Sequence, residues 1–219
     1  MNGTIFEPQT PEASYFEFKK VSAEDGLDDA DLFTVTWFFR TFAFYQPIPR
    51  RLQAWSSQRT IDVADRFINL WICFNSILRK HYGEDKSDGA MIRLAKADFA
   101  QAGGIIHLKE YYDTMLDNEF RNNLEELRRL LPITNMKNGR QLDLTNSSLV
   151  EIVYQIRCNL FHGRKNPEDK DNRDFQLVRL AFLLLAPIVI EYARQNGFIH
   201  TCVPRAFTIS DLEEGICFV

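Results

Sequence analysis

Apolar residues recur at helical spacing along residues 61 to 82, and this repeat limits the fold more than any other feature of the chain. The apolar side chains that share one face of this segment are Phe67, Leu70, Trp71, Phe74, Ile77 and Leu78. Spacings of three and four residues place such a set on one side of an α-helix, and that side must be buried against other elements. Gly83 follows directly and is typical of a helix end. The segment therefore predicts a long amphipathic helix that requires packing partners.

Further segments of the chain also have helical patterns, so we predict a bundle of helices. They cover residues 89 to 102, 108 to 131, 145 to 161 and 171 to 196, with glycine, proline or polar loops between them. Pro187 predicts a kink in the last of these helices, because proline cannot supply the backbone N–H that the helix needs. Residues 133 to 144 are predicted to be a connection that holds Asn138 and Gly139.

The first 55 residues differ in composition from the rest of the chain. Residues 1 to 36 carry eight acidic side chains against Lys19 and Lys20, and an aromatic segment at 31 to 45 is either a helix or a strand. Its aromatic side chains must be buried against the bundle or a partner. We therefore expect an aromatic-rich N-terminal extension over residues 1 to 55 that packs on the bundle. A helical domain over residues 56 to 197 and a C-terminal tail over 198 to 219 complete the predicted organisation.

The composition is that of an ordinary soluble globular protein, with 45% hydrophobic and 26% charged residues. The net charge of −4 argues mildly against a large, nonspecific nucleic-acid surface. It does not argue against a local basic groove, since residues 157 to 166 contain Arg157, Arg164 and Lys165 without any acidic residue. A solvated surface is the competing interpretation of these basic residues.

Cysteine and histidine spacing predicts neither a disulfide framework nor a metal site. Cys73, Cys158, Cys202 and Cys217 lie far apart, and no Cys-x2-Cys pair accompanies any histidine. The start of the chain does not resemble a signal peptide, and the most apolar run, Leu180 to Ile190, has 11 residues, too few to span a bilayer. We therefore expect a cytoplasmic protein with reduced thiols, no cofactor, no metal and no membrane contact.

The clearest candidate chemistry lies at the end of the helix predicted for residues 145 to 161. Its buried face is the set Leu149, Ile152, Val153, Ile156 and Leu160. Arg157 lies at the edge of this face, and His162 stands at the helix end before Gly163. A guanidinium can hold a phosphate oxygen in a forked grip, and an imidazole can transfer a proton near neutral pH. The competing interpretation is that Arg157 is a surface residue and that His162 is a helix-terminal cation.

The string from Arg157 to Pro167 resembles the Arg-x4-His signature of the HEPN superfamily. Residues 67 to 75, around Trp71, resemble a core helix of its standalone-nuclease and defence-associated branches, and the resemblance covers about residues 60 to 197. It implies an all-α, HEPN-like helical bundle that is commonly dimeric. Many members of the superfamily are metal-independent endoribonucleases, and others have lost catalysis and serve as binding modules. The resemblance further implies a toxin or antiviral defence effector, which an inhibitory partner protein could restrain.

For the site, the resemblance implies RNA cleavage by transesterification from the 2′-hydroxyl. His162 would transfer the proton and Arg157 would bind the scissile phosphate, while Asn159 would orient His162 or contact the phosphate. Arg164 and Lys165 are the expected substrate-binding residues. Asn75 is either a supporting residue near the site or a core amide with satisfied hydrogen bonds. Because one motif supplies a single imidazole, a homodimer that pairs two motifs is the expected assembly.

Two competing functions remain at this point. In the first, the chain is a noncatalytic HEPN-type module that binds a nucleotide or a protein partner. In the second, it is a helical scaffold in which Arg157 pairs with an acid and His162 caps a helix, so that loss of Arg157 lowers stability instead of RNA cleavage. Cys158, next to Arg157, is interpreted as a plain buried cysteine in preference to a reactive thiol.

Overall fold

The computed structural model describes residues 56–100, 118–161 and 172–196, together with Thr34, Trp37 and Thr41. The elements in these ranges are α1 (Ser56–Tyr82), α2 (Asp88–Ala100), α3 (Asn118–Leu130), β1 (Ile133–Thr134), β2 (Gln141–Leu142), α4 (Leu149–Phe161) and α5 (Arg173–Gln195). The described part is therefore mostly helical, which confirms the predicted class at that level. The predicted C-terminal tail and most of the N-terminal extension lie outside the described residues.

The core forms where α5 packs against α1 and α3, while α2 packs against α4. The predicted apolar face of α1 is buried, and Phe67, Trp71 and Phe74 are among the largest fully enclosed side chains. Burying each such side chain stabilises the fold by about 1.5–3 kcal/mol. These contacts provide the packing partners that the α1 pattern requires.

The helix α5 is buried on nearly all sides over residues 180 to 192. Its window Arg173–Tyr192, with a mean hydropathy of 1.7, is long and apolar enough to cross a membrane by length and composition. This window is longer than the 11-residue apolar run Leu180 to Ile190 because it also includes the less apolar residues on either side of that run. However, 89% of the window is buried inside the protein, as expected for the central helix of a bundle.

Both ends of the α1–α2 connection follow local sequence signals. Gly83 ends α1 with φ +106°, a left-handed conformation that favours glycine, and its N–H donates to the Arg79 carbonyl. A Cβ at this position would lie 2.9 Å from Asp85 Oδ1, so the exposed Asp85 side chain would have to move aside for a larger residue. Ser87 then caps α2, because its hydroxyl accepts from the Ala90 N–H. The predicted end of α1 is confirmed.

The start of α4 differs from the prediction. The sequence predicts a helix that starts at residue 145, but α4 begins at Leu149 and Ser148 is its cap. The Ser148 N–H donates to Glu151 Oε2 at 2.9 Å, and the Glu151 N–H donates to Ser148 Oγ at 3.3 Å. This reciprocal pair is a capping box, which the Ser-x-x-Glu spacing had offered as a signal.

Residues 133 to 144 form a short hairpin where the sequence predicted only a connection. Ile133 pairs with Leu142 and Thr134 pairs with Gln141 in an antiparallel register. Gly139 has φ +73°, and its N–H donates to the Asn135 carbonyl at 2.7 Å. The Asn-Gly pair thus closes a turn, as such pairs commonly do. Two residues per strand carry almost no alternating pattern, which explains why the strands were missed.

Arg173 joins the end of α3 to the start of α5. Its Nη2 donates to the carbonyls of Leu130 and Pro132 at 2.6 Å each, and its Nε donates to Leu130 O at 3.1 Å. The last carbonyls of a helix lack partners within the helix, so a cation at this position satisfies them.

Thr34, one of the described positions of the N-terminal extension, contacts α1. The hydroxyls of Thr34 and Ser76 form a buried hydrogen bond of 2.6 Å, and the Cys73 thiol donates to Thr34 O at 3.4 Å. Burial raises the pKa of Cys73 well above its ordinary value, so this thiol stays protonated. Trp37, from the aromatic segment, packs partly buried against the core.

Candidate functional site

Arg157 lies in the last turn of α4 between two aromatic rings. Its guanidinium carbon Cζ is 4.3 Å from the centroid of Phe161 and 5.8 Å from that of Trp71. Trp71 comes from α1, whereas Phe161 follows Arg157 by one turn of α4. The two rings hold the cation by cation–π attraction, and they do so without using its N–H donors.

One carboxylate faces this guanidinium. Arg157 Nη2 lies 3.6 Å from Asp88 Oδ2, and each of the two side chains is 23% exposed. This distance allows charge attraction but is too long for a hydrogen bond. Among the described residues Arg157 has no hydrogen-bond partner, and its Nε is buried without one. The pairing with an acid that the scaffold interpretation predicted is therefore present, but it is loose.

Asp88 faces a second arginine as well. Its other oxygen, Oδ1, lies 3.5 Å from Arg79 Nη2. Arg79 belongs to the last turn of α1, and its Nη1 donates to the Glu84 carbonyl at 3.1 Å. The first turn of α2 thus places one carboxylate between guanidinium groups from α1 and α4.

Asn159 does not lie at an accessible surface. Its side chain is 3% exposed, its Oδ1 accepts from Gln155 Nε2 at 2.8 Å, and its Nδ2 donates to Thr134 O at 3.3 Å. An amide enclosed in this way joins α4 to β1 and has no access to a phosphate on an RNA chain. This burial opposes the predicted phosphate contact. The helical spacing from Ile152 and Ile156 puts Asn159 on the apolar face of α4, and the prediction of Asn159 as a catalytic residue did not use this signal.

Asn75 lies one turn after Trp71 on α1 and is partly buried. Its Oδ1 is enclosed and has no hydrogen-bond partner in the part of the chain that the structure describes. Trp71 Nε1 is also buried without a hydrogen-bond partner among the described residues. The interpretation of Asn75 as a satisfied core amide requires a partner for this oxygen, and the described residues do not supply one. Unpaired buried polar atoms of this kind are uncommon in folded proteins.

Tyr154 completes the surroundings of Trp71, with ring centroids 5.7 Å apart. Burial, followed by a hydrogen bond with Cys158 and its charge, raises the pKa of Tyr154 to about 12. The phenol is therefore protonated at neutral pH and cannot serve there as a general base. Cys158 itself is half-buried, where the sequence predicted a buried cysteine, because it lies beside the apolar face of α4 and not on it.

Four neighbours of Arg157 were missed by the sequence argument, and they are Arg79, Asp88, Tyr154 and Phe161. The separation of Arg157 and Phe161 by four residues was a readable signal, since such pairs meet on a helix surface. Asp88 and Arg79 carried no such signal, because they reach the site from other helices.

The remaining predicted site residues, His162, Arg164 and Lys165, lie outside the described residues. Within the described ranges no group of three or more His, Cys, Asp or Glu side chains is arranged to hold a metal ion. Comparison of the chain with protein-family models, with curated proteins and with solved structures finds no match. The family resemblance therefore rests on the quoted sequence motifs alone.

Proposed function

We propose that this protein is a metal-independent endoribonuclease of the HEPN type. The observation that carries the proposal is the state of Arg157, whose guanidinium is held by Trp71 and Phe161 and has no hydrogen-bond partner among the described residues. A guanidinium offers five N–H donors in a fixed fork that fits phosphate oxygens. A preorganised cation with unused donors supports a role in binding an anion, and His162 follows it by five residues.

In the proposed reaction the RNA 2′-oxygen attacks the adjacent phosphorus, and the bond from phosphorus to the 5′-oxygen breaks. One imidazole takes the proton of the 2′-hydroxyl, and a second imidazole gives a proton to the departing 5′-oxygen. Arg157 stabilises the negative charge that accumulates on the non-bridging oxygens. The products are a 2′,3′-cyclic phosphate and a 5′-hydroxyl.

The need for both an acid and a base supports a homodimer. Each chain supplies one His162, so two motifs must meet in one cleft if both proton transfers use imidazole. A two-fold dimer brings identical residues together across its axis. The role of toxin or antiviral defence effector, with an inhibitory partner protein, follows by analogy with the family resemblance.

The alternative is a noncatalytic module that binds a nucleotide or a protein partner. The observation that favours it is the ion pair of Arg157 with Asp88, which partly neutralises the cation at rest. This alternative predicts binding of RNA or nucleotide without turnover.

The deciding experiment incubates the full chain with end-labelled single-stranded RNA in the presence of EDTA. We expect fragments that end in a 2′,3′-cyclic phosphate, and we expect His162→Ala and Arg157→Gln to abolish them. Arg128→Gln is a matched control, because Arg128 is an exposed arginine of α3 whose ion pair, within the described ranges, is with Glu125 of the same helix. Absence of products with the wild-type chain, or cleavage that survives His162→Ala, would overturn the proposal.

A further inference from the structure

We infer that Arg79 is a second phosphate-binding residue of this site and that Asp88 sets its position relative to Arg157. The inference rests on the proposed function and extends it to the substrate. The site would take an RNA in which a second phosphate lies next to the one being cleaved.

The Asp88 carboxylate faces one guanidinium group with each of its two oxygens. Asp88 Oδ1 lies 3.5 Å from Arg79 Nη2, and Asp88 Oδ2 lies 3.6 Å from Arg157 Nη2. A carboxylate is rigid and planar, so two guanidinium groups that each face one of its oxygens have a defined separation. Asp88 acts on both cations from a third helix and is a positioning residue in this scheme.

The cluster of Arg79, Asp88 and Arg157 carries more positive than negative charge. Two guanidinium groups that are always ionised face one carboxylate, so the cluster keeps a net positive charge. Glu84 contributes a backbone carbonyl to Arg79, and the Asp85 carboxylate lies 3.7 Å from Lys86. The last turn of α1 also carries Lys80 and His81, and the acids Glu84 and Asp85 follow it in the loop, so the excess positive charge comes from Arg157. A net cation of this kind attracts a polyanion.

Arg79 is more accessible to solvent than Arg157. The Arg79 side chain is 42% exposed, compared with 23% for Arg157. RNA carries one negative charge per nucleotide, so a strand whose scissile phosphate meets Arg157 presents a neighbouring phosphate to the solvent side. Arg79 shares the helix face of Trp71 and Asn75, since these residues follow one another at intervals of four. Arg79 is the exposed end of this row, so it is the cation that the neighbouring phosphate would meet.

The test compares substrates with one and with two phosphodiester links. A dinucleoside monophosphate offers only the scissile phosphate, whereas a trinucleoside diphosphate adds one neighbour. A single 2′-hydroxyl in each substrate restricts cleavage to one link, and the neighbour is placed on either side in turn. We expect Arg79→Gln to lower kcat/KM for one of the two trinucleotides about tenfold, mainly through KM, as loss of a charged hydrogen bond predicts. The dinucleotide should be cleaved as by wild type.

Three further variants separate the roles of these residues. Arg157→Gln should lower kcat/KM for all three substrates, whereas the matched control Arg128→Gln should leave it unchanged for all three. Asp88→Asn keeps the shape of the side chain and removes its charge, so it should reduce the preference for the trinucleotide. If Arg79→Gln lowers kcat/KM equally for all three substrates, or leaves it unchanged for all three, the inference is wrong.

Failure of the proposed function gives a different result. In that case the wild-type chain cleaves none of the three substrates, and 2′-O-methyl versions of all three are then used to measure binding. Arg79→Gln should still weaken the binding of one of the two trinucleotides alone. For that trinucleotide, the slope of log K against log salt concentration should become shallower by about one unit. Equal binding of all three ligands by wild type and variant would overturn the inference about Arg79.

Discussion

The guanidinium carbon of Arg157 lies 4.3 Å from the centroid of the Phe161 ring, one turn further along α4. Phe161 is 48% exposed, so this ring covers the cation while facing solvent itself. Arg173 shows the opposite arrangement, since the carbonyls of Leu130 and Pro132 accept from its guanidinium. The Arg157 guanidinium has no hydrogen-bond partner among the described residues, whereas the Arg173 guanidinium donates to backbone carbonyls.

This contrast predicts how the two arginines respond to substitution. Arg157→Gln should lower the free energy of unfolding by only about 1 kcal/mol, because a loose, part-exposed ion pair and cation–π contacts contribute little. It should nevertheless abolish RNA cleavage. Urea unfolding and the EDTA cleavage assay measure the two effects. The scaffold interpretation predicts the reverse, a large loss of stability as the main effect.

Arg173→Gln is the matched control for this prediction. It removes hydrogen bonds to helix-end carbonyls, so we expect a loss of about 1–3 kcal/mol. Cleavage by the folded fraction should be unchanged. Loss of cleavage by folded Arg173→Gln protein would remove the distinction between the two arginines.

Phe161 is expected to influence the binding of substrate through Arg157. Phe161→Ala removes the ring that covers the guanidinium, and it should raise KM by about two- to fivefold, as the loss of a cation–π contact predicts. Phe161→Tyr keeps an aromatic face and should behave as wild type. Steady-state kinetics on a short RNA would measure both. An unchanged KM for Phe161→Ala would show that Trp71 alone holds the cation.

Asn159→Ala should act on stability first. The substitution leaves the Gln155 amide and the Thr134 carbonyl without their buried partner, so we expect a loss of about 1–3 kcal/mol in the free energy of unfolding. A double-mutant cycle with Gln155→Ala should show coupling, since the two amides share a hydrogen bond of 2.8 Å. Unchanged stability together with lost cleavage would instead support the catalytic role first predicted for Asn159.

The capping box of α4 gives a prediction about the helix that carries the motif. Ser148→Ala removes the hydroxyl that accepts from the Glu151 N–H, and it should lower stability by about 1 kcal/mol. Ser148→Thr keeps a hydroxyl and should retain most of the stability. Thermal unfolding of the two variants compares them directly. Equal loss in both would show that the hydroxyl is not the important group.

Asp143 links stability to pH. Hydrogen bonds from Thr145, its side chain first and then its backbone N–H, hold the pKa of Asp143 below its ordinary value. A lowered folded pKa contributes stability above the ordinary carboxyl pKa, and this contribution is lost as pH falls through the folded pKa. Thr145→Val should therefore raise the pKa of Asp143 toward the ordinary value, which a carbon-detected NMR titration measures. An unchanged pKa would contradict the assignment of the hydroxyl as the main cause.

Much of the helical framework was readable in the sequence because its signals are local. The spacing of Phe67, Leu70 and Trp71 predicted α1, and Gly83 predicted where this helix ends. The start of α4 was placed too early, because several capping residues in a row, from Thr145 to Ser148, offered competing signals. The hairpin at residues 133 to 142 was missed because two-residue strands have no readable period.

In the candidate site too, contacts within one helix were predictable from the sequence, whereas contacts between helices were not. Local spacing along one helix was sufficient to place Arg157 at the edge of the buried face of α4, and it also brings Phe161 beside Arg157. The position of Asp88 between Arg79 and Arg157, and the enclosure of Asn159 beneath β1, depend on how distant segments pack. Side chains on one helix are related by a fixed geometry, whereas contacts between helices arise only when the whole core is assembled.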